Sequence, residues 1–205
     1  MKLYYAPGAC SLAPHIALRE AGYQFELDKV DLAAKRTESG KDYLKINPNG
    51  YVPALQTDDG EIITEAAVIL QYLADKKPRA HLAPKHGSME RYRLLEWLNF
   101  TASEIHKTLG VLFKPEMTPE WKKAQINLFH TRLEFLAKHL HKRKFLLGDE
   151  FTIADAYLFT VLGWVNFHKI DISNWPEVKK YMQRIGERKA VREAMEAEGL
   201  IKKAA

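Results

Sequence analysis

The sequence predicts an α/β half followed by an all-helical half. Three observations carry this: short β-rich runs alternate with helix-like segments over residues 1–75, a junction bearing Pro and Gly occupies 77–88, and from about Ser88 onward the apolar spacing is helical. Residues 2–6 (KLYYA) and 25–30 (FELDKV) are short and rich in β-formers, and residues 11–21 between them read as a helix closed by Gly22, which makes a β-α-β unit. Residues 52–57 (VPALQT) read as a strand, and Asp58-Asp59-Gly60 turns it into 61–64 (EIIT), a hairpin. Thr64-Glu65 then opens an apolar-periodic helix over 66–75. Beyond the junction the helical signals cover 89–113, break at 115–119, and resume over 120–142, 152–168 and 176–198. Thr152-Ile153-Ala154-Asp155 has the form of a capping box with Asp in place of Glu, a structural device. The domains expected are 1–80 and 81–205.

Composition sets the outer limits. A chain of 205 residues suits one large domain or two small ones, and 46% hydrophobic with 28% charged residues is a globular balance that excludes a disordered or collagenous chain. No apolar run approaches the roughly 18 residues of a bilayer span, and the start of the chain lacks the apolar segment of a signal peptide, so membrane insertion and export are disfavoured. One cysteine, Cys10, excludes an intrachain disulfide framework and a multi-cysteine zinc site; no metal is expected, and the protein reads as cytoplasmic. The net charge of +5 is unevenly spread. Residues 1–80 hold 10 basic and 11 acidic side chains, whereas 121–144 alone hold seven basic ones against Glu134. That run ends where a helix finishes, and cations there complement the helix dipole; binding to nucleic acid or another acidic surface is the weaker reading, because stacking aromatics do not interleave.

Several positions can carry chemistry. Cys10 follows Pro7-Gly8-Ala9 after a strand and precedes a helix, where backbone N–H groups and the dipole favour a thiolate; a lone cysteine is otherwise a small buried hydrophobe. Tyr4, Tyr5 and Ser11 are hydroxyls close to Cys10 in sequence, and His15 is a rival partner that a helix turns away from it. Val52-Pro53 suggests a free edge able to pair with an extended peptide, since proline cannot donate to a ladder, and its peptide bond is a candidate for cis. Glu65 at a helix start can accept from an ammonium while the N–H groups of Glu65 and Ala66 hold a carboxylate; the plainer reading is a first-turn acid. Asn99, Ser103 and His106 fall at i, i+4 and i+7 of one helix and share a polar face, which a solvated surface would also explain.

Five segments in order, YAPGACS (5–11), NPNGYVPAL (47–55), ITEAAVILQYLAD (63–75), EWLNFTASEIHK (96–107) and FTIADAYLFTVLGW (151–164), make the whole chain resemble the cytosolic glutathione transferases of the bacterial beta class. The resemblance implies a thioredoxin-like N-terminal domain joined to an all-α domain that holds an electrophile pocket and part of a dimer interface. It also implies glutathione as co-substrate rather than a cofactor, and a homodimer. Glutathione would pair with the Val52 main chain, with Glu65 and Ala66 at its γ-glutamyl end, Lys35 on its glycine carboxylate and Cys10 facing its sulfur. Lys35 is equally readable as a surface lysine. Asn99, Ser103, Glu104, Ile105, His106 and Lys107 would border the same site, with Ser103 and Glu104 supplied to the neighbouring subunit. His106 would hydrogen-bond a sulfur while Lys107 favours thiolates.

The reaction implied is attack of the glutathione thiolate on a small hydrophobic electrophile, held among Leu112, Phe113, Trp164 and His168; Tyr157 shares their helical spacing and suits core packing better. Cys10 could instead form a mixed disulfide with glutathione, giving monothiol exchange, and dehalogenation is not separable from conjugation by sequence. The competing class is a non-catalytic binding or regulatory protein that keeps the fold and uses its basic 121–144 region.

Overall fold

In the computed structural model, which describes residues 1–202, the apolar run Leu3-Tyr4-Tyr5 forms most of the first strand, β1 (Lys2–Tyr5). It pairs in parallel with β2 (Glu26–Asp31), Lys2 opposite Glu26, and the crossover that a parallel pair requires is α1 (Leu12–Glu20). The other edge of β1 pairs antiparallel with β4 (Ala54–Gln56), Leu3 opposite Leu55, and β4 returns through the Asp58-Asp59-Gly60 turn to β5 (Ile62–Thr64). Beside β2 lies β3 (Arg36–Thr37), so the sheet order is β3-β2-β1-β4-β5. The expected β-α-β, β-β-α arrangement is therefore present, with one added strand that is too short to show a period in sequence.

The period-2 pleat gives this sheet two apolar faces. Helix α1 packs on β1, α2 (Ala66–Lys76) packs on β4 and β5, and the two helices touch each other, with Ile16 of α1 and Leu70 and Leu73 of α2 fully buried. Tyr4, Val30 and Ala54 form a second cluster with Ala6, Tyr43 and Val52. One expectation needs correcting: β4 begins at Ala54 rather than Val52, and it runs between β1 and β5, so Val52-Pro53 is not on a sheet edge. It is a cis-bonded segment lying ahead of an interior strand, outside both ladders.

Contacts divide the chain into two units: Met1–Ala83 with the described residues from Glu187 onward, and Pro84–Gly186. In the second unit α3 (Met89–Phe100) starts at Ser88, whose hydroxyl accepts from the Arg91 N–H at 3.1 Å. It passes into a π turn (Thr101–His106), then α4 (Lys107–Gly110) and a 3-10 turn (Val111–Phe113), where the sequence suggested one regular helix. Then follow α5 (Pro119–Leu140), capped by Thr118, the fully buried α6 (Ile153–Leu162), α7 (Trp164–His168) and α8 (Pro176–Gly186). The expected capping box is there: the Thr152 N–H and hydroxyl both donate to Asp155 Oδ2, at 2.8 and 2.9 Å.

The segment expected as one helix over 176–198 is two. Arg188 is extended (φ −66°, ψ 135°), and α9 (Lys189–Ala197) belongs to the first unit, where it packs on α1. Periodicity reports that a helix has an apolar face and is silent on which unit receives it. Among the described residues no helix is long and apolar enough to cross a membrane.

Candidate active site

In the first unit the chain leaves β1 through Pro7-Gly8-Ala9 and reaches Cys10 two residues before α1. The turn is closed by Ala9 N–H on Ala6 C=O (3.1 Å) and Ala13 N–H on Cys10 C=O (3.2 Å). The Ser11 hydroxyl accepts from the Ala6 N–H and donates to the Ala6 C=O, both at 3.2 Å, and Ser11 is fully buried. Tyr4, also buried, donates to Gln56 Oε1 at 3.4 Å, and burial pushes the Tyr4 and Tyr5 phenols up. Of the groups weighed from sequence, Ser11 is thus committed to the backbone. Cys10 is partly exposed, and its thiol donates to the Val52 carbonyl at 3.2 Å. Residues 42 apart in sequence are joined by this contact.

His15 is completely buried and does turn away from Cys10: Arg19 Nε donates to its Nε2 at 2.9 Å, so Nδ1 is the ring's donor, to Glu198 Oε1 at 2.8 Å. The second oxygen of Glu198 accepts from the Gly8 N–H at 2.9 Å, which ties the C-terminal segment to the turn that carries Cys10. Sequence reasoning missed Glu198, because nothing in its spacing links it to His15 across 183 positions.

The segment before Pro53 is held carbonyl by carbonyl. Lys35 Nζ donates to the Gly50 C=O at 2.9 Å and lies 5.8 Å from the Tyr51 ring centroid. The Tyr51 C=O accepts from the Tyr43 hydroxyl at 2.8 Å and from Asn47 Nδ2 at 2.7 Å. Glu65 adopts φ 67°, ψ 117° immediately ahead of α2; its C=O accepts from Val68 and Ile69, and its side chain makes no capping bond. The first N–H groups of α2 are the orphan donors that every helix start presents.

The remaining sequence-predicted residues lie in the second unit. Asn99 and Ser103 are exposed, with the Ser103 hydroxyl on the Asn99 C=O at 3.0 Å. Glu104 pairs with Arg132 at 2.6 Å, Ile105 has a fully buried side chain, and Lys107 is exposed. His106 Nδ1 is 2.7 Å from the Tyr157 hydroxyl, and its ring meets Trp164 edge-on at 5.0 Å. Burial, aided by the Lys107 charge, pushes the His106 imidazole down to about 4, so at neutral pH it is an uncharged hydrogen-bonding group and the positive potential there comes from Lys107. Sequence reasoning read Tyr157 as core; it is buried, but its hydroxyl also faces His106. Phe113 meets Trp164 edge-on (5.4 Å) and His168 at a tilt (4.3 Å) and is 46% exposed, so the three aromatics proposed for an electrophile lie in one cluster.

Comparison with known proteins bears on this geometry. Residues 1–75 match the family described as Glutathione S-transferase, N-terminal domain, and residues 100–189 match Glutathione S-transferase, C-terminal domain. The chain is 46% identical over 200 residues to glutathione S-transferase GstA of Escherichia coli O157:H7, covering 98% of this chain and all of that one. Among solved structures it is similar to BphK, a bacterial glutathione S-transferase in a ternary complex (55% identity, TM-score 0.95, 97% of this chain and 100% of that one). It is likewise similar to the bacterial beta-class glutathione S-transferase of Sphingomonas chungbukensis (49% identity, TM-score 0.95, 98% and 100%). With both domains matched in order and nearly the whole chain aligned, the protein belongs to the glutathione S-transferase family, beside its bacterial beta-class members.

Proposed function

We propose that this glutathione S-transferase conjugates reduced glutathione to small hydrophobic electrophiles through a site built on Cys10 and the Val52 main chain. The observation that carries the reading is the meeting of a partly exposed thiol at a strand-to-helix turn with the carbonyl of a residue standing outside both neighbouring ladders. Glutathione offers what such a site can use: a backbone to pair with Val52, an ammonium for Glu65, carboxylates for the α2 N-terminus and for Lys35, and a sulfur to face Cys10. Lys35 has one N–H on Gly50 and keeps two more for a carboxylate.

Catalysis then consists of releasing the glutathione thiol proton to solvent and holding the thiolate beside the electrophile. With an aryl chloride the sulfur–carbon bond forms, the carbon–chlorine bond breaks and chloride leaves. Within the second unit, His106 offers a neutral hydrogen-bonding group suited to a sulfur, and Phe113, Trp164 and His168 offer an apolar surface suited to an electrophile. In exchange chemistry the Cys10 thiolate attacks glutathione disulfide, forming a mixed disulfide and releasing one glutathione thiolate.

A homodimer completes the proposal. Large apolar side chains stand exposed on each unit, Tyr51 at 72% and Val68 at 50% on the first, Met89 at 63% and Phe135 at 51% on the second. Such surfaces mark association sites when they are contiguous.

The test is the initial rate of conjugation to chlorodinitrobenzene by the parent protein, Cys10→Ala and His106→Ala, with an intact-mass spectrum after incubation with glutathione disulfide. We expect a clear parent rate, a loss with His106→Ala, and no glutathione adduct on Cys10→Ala. A parent rate equal to background would remove the conjugation reading. A monomeric mass in light scattering at assay concentration would remove the dimer.

A further inference from the structure

We propose that Tyr43 and Asn47 are positioning residues for glutathione, acting through the peptide unit between Tyr51 and Val52. The inference rests on the reading that Val52 pairs with the glutathione main chain and goes on to say what aims that pairing. A trans peptide is a rigid plane in which the C=O of one residue and the N–H of the next point in opposite directions. Fixing the Tyr51 oxygen therefore fixes the direction of the Val52 N–H.

The structure fixes that oxygen twice. It accepts from the Tyr43 hydroxyl at 2.8 Å and from Asn47 Nδ2 at 2.7 Å, which fills both of its lone pairs. Both donors are themselves held. Tyr43 is fully buried, its ring packs on Tyr4 at 5.8 Å, and burial pushes its phenol up to about 12, so it stays a donor throughout the physiological range. Asn47 is 4% exposed, and its Oδ1 accepts from the Asn49 N–H at 3.2 Å, which settles the amide with its nitrogen toward Tyr51. On either side of this peptide the carbonyls of Gly50 and Val52 are met by Lys35 and Cys10. The Val52 N–H is the donor left for a peptide ligand, since neither ladder of β4 extends to it. Two buried polar side chains converging on one loop carbonyl go beyond what closing the turn needs, because the Gly50 N–H on the Asn47 C=O at 2.8 Å already closes it.

The experiment uses the full chain and the variants Tyr43→Phe and Asn47→Asp. The first removes one hydroxyl; the second keeps the acceptor for Asn49 and sets a carboxylate oxygen against the Tyr51 carbonyl. We measure the affinity for S-methylglutathione by calorimetry, the KM values for glutathione and chlorodinitrobenzene, kcat, and exchange of the Val52 amide with and without S-methylglutathione. A lost hydrogen bond of ordinary strength predicts a glutathione KM and an S-methylglutathione Kd raised about three- to tenfold in Tyr43→Phe and more in Asn47→Asp. Removal of ground-state positioning leaves kcat at saturating glutathione and the chlorodinitrobenzene KM within about twofold. Protection of the Val52 amide by S-methylglutathione should fall in both variants. Unchanged glutathione affinity in Tyr43→Phe, or a parallel loss of kcat and of both KM values, overturns the proposal, and Tyr43→Phe decides alone if Asn47→Asp does not fold. If the parent protein fails to bind S-methylglutathione, the underlying glutathione reading falls instead.

Discussion

Burial and the neighbouring Lys107 hold the His106 imidazole at about 4, against 6.5 in an unfolded chain. Because the folded value is the lower one, the unfolded chain takes up a proton between pH 6.5 and about 4 that the folded chain refuses. Stability through this group is intact above 6.5, falls as the pH drops through that window, and loses nothing further below it. The slope is at most about 1.4 kcal/mol per pH unit. Denaturant midpoints taken from pH 7 down to 4.5 should therefore fall less steeply in His106→Gln than in the parent, and parallel curves would refute the assignment. The same displacement means that a conjugation profile between pH 6 and 8 should contain no step from His106. At this scale the place of Cys10 just ahead of α1 was legible because a strand-to-helix turn is visible in sequence, and His106 was singled out because its segment resembles the family. The Tyr157 hydroxyl that meets His106 was not, since 51 residues separate them and a tyrosine in an apolar helix looks like packing.

Elements were legible where a local rule governs them. The α6 cap is the clearest case: Thr152-x-x-Asp155 states it in four letters, and the structure adds what the letters omit. Besides Thr152, the fully buried Asp155 carboxylate accepts from the Leu146 N–H at 2.9 Å and from the Tyr181 hydroxyl at 3.0 Å. The carboxylate thus joins the α6 start to the preceding loop and to α8. Asp155→Ala strands several buried donors at once, and at about 1–3 kcal/mol for each unsatisfied donor it should cost about 3 kcal/mol or more. Asp155→Asn, which keeps acceptor oxygen at the site, should cost less. Equal denaturant midpoints for the two variants would show that the carboxylate's bonds do not matter. Elements went unread where no local rule marks them. The two residues of β3 show no alternation, and the π turn at Thr101–His106 has the composition of ordinary helix while hydrogen-bonding with a wider period. That turn also qualifies the shared polar face inferred for Asn99, Ser103 and His106. The first pair is joined at helical spacing by a hydrogen bond, but His106 closes a segment whose turns are wider than 3.6 residues.

For the molecule as a whole, sequence placed the change from mixed to helical structure correctly, because the Pro- and Gly-bearing junction and the change of period coincide there. It did not place the last helix. The expected helical domain ran from 81 to 205, whereas α9 groups with the first unit, held to α1 by the bidentate Arg188–Glu20 pair at 2.6 and 2.9 Å and by His15–Glu198 at 2.8 Å. Long-range partners of this kind are set by tertiary packing and leave no periodic trace. The consequence is that residues 1–83 are not a self-sufficient domain. Ending the chain at Gly186 would uncover the α1 face that α9 covers, and would deprive the buried His15 and the Gly8 N–H of their shared carboxylate. We expect such a chain to lose the cooperative unfolding of its first unit while the second, complete in itself at Pro84–Gly186, keeps its helical signal. Amide exchange followed by mass spectrometry separates the two, with protection lost in β1, α1 and β2 and retained in α5 and α6. Glu198→Gln gives a milder version: a neutral amide must replace a carboxylate that accepts two buried bonds, and a cost of about 1–3 kcal/mol is expected. Wild-type protection of α1 in the chain ending at Gly186 would show that the C-terminal helix is an ornament of the first unit rather than part of its core.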